Sequence, residues 1–320
     1  MSILDLKKQN KELNIQEIIT GYSKMKHSSN SIREEINYVN CNLCNSNKFK
    51  FERVLNNYCL VKCKKCGFVY VNPRLKKEII IDDYKDKNKY SKKIHCSGKD
   101  NLIKYYKRTE DERILQDKRE LNLIKEVVGS KKLKILDVGC GNLCFLRVAK
   151  KTGHKVEGMD ITNWQREIAK KDKIPFYTGT LKEIRLDKNR FDFIRLNQVL
   201  EHLDDPSENL KECYRILKSE GLINISVPNY GALSIKLGMD KFKANVPPGH
   251  LNYFTYKTLK KFLIKSGFRE IKSICDWLNN KKLRKILFYD RSALIKKFIK
   301  KQILNRFKLS NDLMIMAIKN

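Results

Sequence analysis

Residues 134–160 read KILDVGCGNLCFLRVAKKTGHKVEGMD, and this stretch decides the fold. Ile135 and Leu136 make a short apolar strand that ends at Asp137. Gly139 and Gly141 follow in a turn. Phe145, Leu146, Val148 and Ala149 give one apolar helical face, and residues 156–159 start a second strand closed by Asp160. The pattern predicts strand, glycine turn, helix and strand. This is a nucleotide-binding βαβ opening, with glycines where backbone approaches a ligand and an acid about twenty residues on for ribose hydroxyls.

Two details narrow the ligand. A dinucleotide site uses a third glycine for close helix packing and rests a pyrophosphate on the helix N-terminus. Here the third position is Cys144, and Asp137 stands just before the turn, where its carboxylate would repel a pyrophosphate. A cationic, phosphate-free ligand tolerates that carboxylate. S-adenosylmethionine (SAM) has a sulfonium, an ammonium and a ribose for Asp160, and is favoured over NAD. A glycine turn that binds nothing leaves the acids at both strand ends unexplained. The string Leu136-Asp137-Val138-Gly139-Cys140-Gly141 resembles motif I of the class I SAM-dependent methyltransferases.

Outward from this stretch the chain alternates as an α/β sheet does. Strands are predicted at 134–137, 155–160, 174–177, 191–196, 222–227, 270–277 and 313–318. Helices are predicted at 164–171, at 207–217 with Ser207 as N-cap, and at 258–266 with Gly267 closing it. The fold class is α/β, a Rossmann-like seven-stranded sheet occupying 129–320. Ahead of it, 76–128 reads as a helical bridge, with helices at 78–84 and 102–128, and 1–36 as a lysine-rich leader.

The ten cysteines do not form a disulfide framework. Cys41-Asn42-Leu43-Cys44 and Cys63-Lys64-Lys65-Cys66-Gly67 are two short knuckles, which place four thiolates tetrahedrally around one Zn²⁺. Between them, 48–55 and 58–62 predict a hairpin, and 68–71 a third strand. This ribbon, 37–75, is too small for a core of its own, so the metal would contribute to its folding. Four protein ligands leave no open position, which makes the zinc structural.

The formal net charge is +32 over 320 residues. Such a charge invites nucleic acid or an anionic membrane surface, while a chain rich in lysine throughout gives the same number without a partner. The segment 281–308 concentrates it, with one acid, Asp290, and apolar residues near helical spacing. It reads as a basic amphipathic helix before the last strand, either packed on its own domain, lying on a membrane or touching nucleic acid. No apolar run nears the roughly 18 residues of a membrane span. The N-terminus is charged from Asp5 onward and lacks an apolar secretory core, so a cytoplasmic protein is expected, peripheral to the membrane if 281–308 docks there.

Ligands of open α/β sheets collect at the carboxyl ends of the strands. Asp137, Gly139 and Gly141 are expected at the methionine end of SAM, Asp160 at the ribose and Ile161 near the adenine. Thr180 and Leu181 are expected at the adenine edge, and Asn197 and Gln198 at the methionine part or the acceptor. Methyl transfer also needs an aligned acceptor and a group to take its proton. Glu201 and His202 form a candidate acid/base pair, against the alternative of a loop-fixing acid and a structural histidine. His250, in the loop 247–254, is a second base candidate or a packed loop residue.

The segments FDFIRLNQVLEHLDDP, GLINISVPN and GHLNYFTYKTLKKFLIKSGF resemble a methyltransferase subfamily that includes the ubiquinone-pathway O-methyltransferases. CKKCGFVYVNPR resembles the zinc-binding front domain of sugar C-methyltransferases of cell-surface glycan and natural-product clusters. The resemblance spans about 40–275 and the terminal strand. It implies a seven-stranded sheet whose last strand is antiparallel, SAM as methyl donor, and a small-molecule acceptor such as a nucleotide- or lipid-linked sugar. Some relatives hold a divalent metal through Glu-x-x-Glu-His. Here Gln198 replaces the first acid, a weaker ligand for a hard cation, so no catalytic metal is expected. Tyr84 and Tyr90 are candidates for the tyrosine that sugar C-methyltransferases place near the acceptor. Two rivals remain. One is a ribosomal RNA methyltransferase, although no Asn-Pro-Pro-Tyr-like motif follows the fourth strand and aromatics do not interleave the basic run. The other is a non-enzymatic zinc-ribbon interaction protein on a methyltransferase scaffold.

Overall fold

A computed structural model of the chain describes residues 36–56, 58–80, 110–236, 247–273 and 311–320. The expected leader up to residue 35, the stretch 81–109 with Tyr84 and Tyr90, and the basic segment 281–308 lie outside the described residues.

Short strands open the described chain: β1 (Ile36–Asn37), β2 (Phe49–Leu55), β3 (Tyr58–Cys63), β4 (Val69–Val71) and β5 (Arg74–Leu75). β2 and β3 form the expected hairpin, with Phe49 opposite Cys63 and Leu55 opposite Tyr58. β4 adds antiparallel to β3. The chain then runs through α1 (Glu110–Val128), β6 (Lys134–Val138), α2 (Cys144–Lys151), β7 (Lys155–Asp160), α3 (Arg166–Lys171), β8 (Phe176–Thr178), α4 (Leu181–Ile184) and β9 (Phe191–Asn197). A 3-10 turn at Leu200–His202 leads to α5 (Pro206–Ile216), β10 (Leu217–Pro228), α6 (Leu233–Lys236), β11 (Asn252–Tyr253), α7 (Tyr256–Lys265), β12 (Phe268–Ser273) and β13 (Asp312–Lys319).

The large sheet has seven strands in the order β12-β13-β10-β9-β6-β7-β8. β8, β7, β6, β9 and β10 run parallel, and β13 is antiparallel to its neighbours β10 and β12. This is the Rossmann-like methyltransferase sheet, with the antiparallel last strand that the resemblance implied. Successive strand residues point to opposite faces. Ile135, Phe193 and Leu222 face Leu121 and Ile124 of α1 and Phe145 and Leu146 of α2. Leu136, Ile194 and Ile223 share the other cluster with Leu259 and Phe262 of α7. Fully burying each such side chain contributes about 1.5–3 kcal/mol before entropy is counted.

Phe49, Phe68 and Tyr70 of the ribbon belong to that second cluster. The four-stranded ribbon sheet, ordered β11-β4-β3-β2, takes its edge strand from residues 252–253. A boundary at residue 75 therefore leaves out one strand of the ribbon, because β11 lies far along the chain. The helical stretch expected as a bridge packs as α1 on the sheet face, with Leu121, Leu123 and Ile124 buried.

Other corrections are local. Ser207 is not the cap of α5: Asp205 caps it, accepting from Glu208 N at 3.0 Å, with Pro206 in the first turn. The Ser207 hydroxyl instead donates to Asn42 O at 2.7 Å, tying the first cysteine knuckle to the helix. Residues 218–221 are absorbed into β10, with a register shift between Leu217 and Leu222.

Candidate functional site

In the sheet, β6 lies between β7 and β9. The chain leaves β6 toward β7 on one side and later returns as β9 on the other. That reversal opens a crevice at the carboxyl ends of the strands. Asp137, Gly139, Asp160 and Asn197 all come to this end.

The glycine turn is fixed by backbone bonds. Gly139 N and Cys140 N both donate to Met159 O, at 2.8 and 3.1 Å. Gly139 (φ 68°) and Gly141 (φ 51°) take left-handed conformations that glycine adopts without strain. A Cβ on Gly139 would lie 2.5 Å from Val199 Cγ2, so the turn and the chain after β9 touch. Cys144 does begin α2 where a dinucleotide fold has its third glycine. The space for the helix comes from Gly158 in β7, where a Cβ would meet Leu146 Cδ1 at 2.7 Å and Cys140 Sγ at 3.0 Å.

Asp160 closes the turn. Its Oδ2 accepts from Gly141 N at 3.2 Å, and its Oδ1 accepts from Thr162 N at 3.0 Å and Thr162 Oγ1 at 2.8 Å. Burial of the carboxylate raises its pKa against those donors. Residue and carboxylate are thus preset at the end of β7, with Ile161 half-buried beside it.

Asp137 sits differently from the expectation. It is 1% exposed, and both oxygens lie 3.2 Å from Arg195 Nη1. Arg195 also binds Glu120 through Nε and Nη2 at 2.9 and 2.8 Å, and its guanidinium stacks 4.1 Å from the Phe145 ring centre. Asp117 lies 3.5 Å from the same Nη2. Burial, together with repulsion from Glu120, outweighs Arg195 and pushes Asp137 up to about 7. The simple picture of a bare carboxylate facing the ligand is corrected: a buried arginine partly balances it.

Thr180 and Leu181 follow the end of β8 and open α4. Thr180 is the N-cap of α4, its hydroxyl accepting from Glu183 N while its own N–H donates to the Glu183 carboxylate. Leu181 is 2% exposed and packs into the core.

After β9, Gln198 adopts φ 57° and its N–H donates to Ser226 O at 2.8 Å. This corner lays Val199 over Gly139 and turns Glu201 inward. Glu201 is 1% exposed, and neither carboxylate oxygen has a partner among the described residues. Burial pushes its pKa up to about 8, so it is protonated at neutral pH. His202 Nδ1 lies 2.8 Å from Gly249 O, its Nε2 lies 3.8 Å from Glu201 Oε1, and its ring meets His250 edge-on at 4.5 Å. Burial lowers both histidines, His250 to about 2 with a further push from His202. Both are neutral imidazoles. The structure thus brings together Glu201, His202 and His250, their ligating atoms within 4.8 Å of one another. Gln198 does not join them; its amide is directed at Ser226 Oγ, 3.4 Å away.

Cys41, Cys44, Cys63 and Cys66 also converge. Cys41 and Cys66 Sγ atoms are 3.4 Å apart, Cys44 and Cys63 Sγ atoms 3.5 Å, and all four lie within 4.8 Å of one another. Disulfide sulfurs lie about 2.05 Å apart. A tetrahedral ZnS₄ site with bonds of about 2.3 Å has sulfur edges of about 3.8 Å, and the donor set fits that geometry. Lys261 Nζ and Lys265 Nζ donate to the Cys66 and Leu43 carbonyls, placing positive charge beside the knuckles.

Sequence reasoning missed Arg195, Glu120, Gly158 and Asn252. A signal existed for the first two. Arg195 interrupts an otherwise apolar strand, and Glu120 adjoins Leu121 on the inward face of α1.

A parallel sheet of this order, with a glycine turn at its switch point and an acid ending the next strand, defines a Rossmann-like methyltransferase fold. A family model described as a methyltransferase domain matches residues 106–273, just over half of the chain. The chain belongs to that family. It is 31% identical over 107 residues to the ubiquinone biosynthesis O-methyltransferase of Haemophilus ducreyi, covering 30% of this chain and 45% of that one. The ubiquinone biosynthesis O-methyltransferase of Pelagibacter ubique is 32% identical over 104 residues, covering 31% and 43%. The chain thus spans less than half the length of these curated relatives. Among solved structures, a SAM-dependent methyltransferase from Archaeoglobus fulgidus aligns over 67% of this chain and 99% of its own, with 25% identity and a TM-score of 0.47.

Proposed function

We propose that the protein transfers a methyl group from SAM to a small-molecule acceptor, a nucleotide- or lipid-linked sugar. The observation that carries the donor assignment is the Asp160 carboxylate, bonded to Gly141 N–H across the turn at the sheet's switch point. Gly139 and Gly141 let backbone approach the methionine part, Asp160 accepts from ribose hydroxyls, Ile161 flanks the adenine, and Asn197 lies toward the acceptor. When bound, SAM supplies a sulfonium-activated methyl group, and its transfer leaves S-adenosylhomocysteine.

The acceptor must lose a proton as its new bond to carbon forms. Glu201 holds a proton of its own at neutral pH and is not the base. The neutral imidazole of His202 can accept one, whereas burial holds His250 down to about 2 and disfavours its protonation. The acceptor class rests on the ribbon's similarity to sugar C-methyltransferases and on the absence of RNA-gripping features after β9.

The four cysteines suit a structural zinc that would fix the two knuckles. A second reading is favoured by one observation. The unpartnered, buried Glu201 carboxylate beside two neutral histidines is a donor set for a divalent cation, despite Gln198. Incubation with methyl-labelled SAM and a panel of nucleotide- and polyprenyl-linked sugars tests the proposal. Label in a sugar supports it, and label only in ribosomal RNA contradicts it.

A further inference from the structure

Asn252 is 2% exposed, and its side-chain nitrogen points at one turn: Leu203 O at 2.6 Å, Glu201 O at 3.3 Å and Leu200 O at 3.5 Å. Its Oδ1 has no partner among the described residues, so the amide is oriented by its donor end alone. Leu251, one residue earlier, joins the same turn to the ribbon. Its N–H donates to Glu201 O at 2.9 Å, and its carbonyl accepts from Val71 N at 3.0 Å. Asn252 and Tyr253 then pair with Tyr70 and Val69 of β4.

β4 leaves directly from the second cysteine knuckle, where Cys63 N donates to Phe68 O at 2.9 Å. Phe68 is fully buried and packs on Phe254 and Phe262, with ring centres 5.4 and 4.9 Å apart. A continuous set of bonds therefore runs from the cysteines through β4 and β11 to the turn that carries Glu201 and His202. His250 adjoins it in sequence. The bonds that fix the glycine turn run instead to Met159 and Asp160.

We propose that Asn252 is a positioning residue that couples the four-cysteine ribbon to the Glu201–His202–His250 cluster, so that order in the ribbon sets the acceptor side of the site and leaves the cofactor side unchanged. This rests on the reading of the cysteines as a metal site and of the cluster as the acceptor side. The ribbon then does more than stabilise: it holds the wall against which the acceptor is aligned.

Histidine-selective NMR of the full chain tests it, with SAM titrations alongside. His154 is an internal control, its Nδ1 accepting from Leu133 N at 3.1 Å beside β6. In Asn252→Ala, and separately in Cys63→Ser, which disturbs the cysteine cluster alone, the His202 and His250 ring signals should shift or broaden. His154 should stay, and SAM affinity should hold within about twofold. Asn252→Asp, which keeps the shape and loses the donors, should behave like Asn252→Ala. If Asn252→Ala does not fold, Asn252→Ser and Cys63→Ser carry the same comparison. Unmoved His202 and His250 signals would overturn the coupling, as would His154 and SAM affinity changing in step with them. Wild-type chain that binds no SAM would instead defeat the cofactor reading, and the histidine signals would still decide the coupling.

Discussion

Arg195 Nη1 lies 3.2 Å from both carboxylate oxygens of Asp137, so the acid before the glycine turn is held from inside the sheet. The same guanidinium binds Glu120 of α1, and Asn224 Nδ2 donates to Glu120 Oε1 at 2.7 Å. Helix α1, the central strands and the cofactor turn thus share one buried polar network. Removing one member of such a network costs more than the network contributes net, because its partners stay buried and uncompensated. Arg195→Met should destabilise the fold by about 3–5 kcal/mol. Urea unfolding checks this, and a loss below about 1 kcal/mol would mean that water reaches the carboxylates.

Asp137 also gives a pH dependence with a definite sign. Its folded pKa, pushed up to about 7, exceeds its ordinary value near 4. The folded chain therefore binds more protons between these values than the unfolded chain. Stability from this group is complete below pH ~4 and is lost as pH rises through ~7. Asp137→Asn should flatten the fall between pH ~5 and ~7, which reaches about 1.4 kcal/mol per pH unit in the wild type. Unfolding at a series of pH values measures it, and an identical slope in the variant would contradict the assignment.

Gly139 and Gly158 should not tolerate a methyl group. Gly139→Ala meets Val199 at 2.5 Å and is strained by φ 68°, and Gly158→Ala meets Leu146 at 2.7 Å. Each should cost about 1–3 kcal/mol, and Gly139→Ala should also weaken SAM binding. Val199→Ala added to Gly139→Ala should recover part of the loss, since only the clash and not the dihedral is relieved. No recovery would place the whole cost in the backbone.

Zinc should be present at about one per chain by elemental analysis, as a closed Cys₄ site holds one ion. Cys63→Ser should lose most of the metal and lower the melting temperature, because it removes one of the four thiols that converge between the knuckles. Metal-free wild-type chain with an unchanged melting temperature would contradict a structural role.

The sheet was legible in the sequence because its strands carry the period and its turns carry glycines and acids. Ile135, Leu136 and Asp137 announce β6, and Cys41 to Cys66 announce the ribbon by spacing alone. The candidate site was legible where it is built on backbone, as at the left-handed Gly139 and Gly141, or on a strand-end acid, as at Asp160, which accepts from Gly141 N. It was not legible where side chains choose between neighbours. Thr180 and Leu181 lie at the expected strand end, yet a Glu183 three residues on draws them into a helix cap. Asp137 lies at the expected place, yet Arg195 and Glu120, both distant in sequence, decide its charge. β11 could not be foreseen, because two residues carry no strand period, and the edge of β4 that they pair with is visible only after folding.

The proposed transfer stands on SAM binding through the turn closed by Asp160. Calorimetric titration of SAM into wild-type chain and Asp160→Ala tests it most directly. The wild type should bind saturably, and the variant should lose at least about 50-fold, roughly 2.3 kcal/mol, in affinity. No binding by folded wild type, or equal affinity in the two proteins, would contradict it.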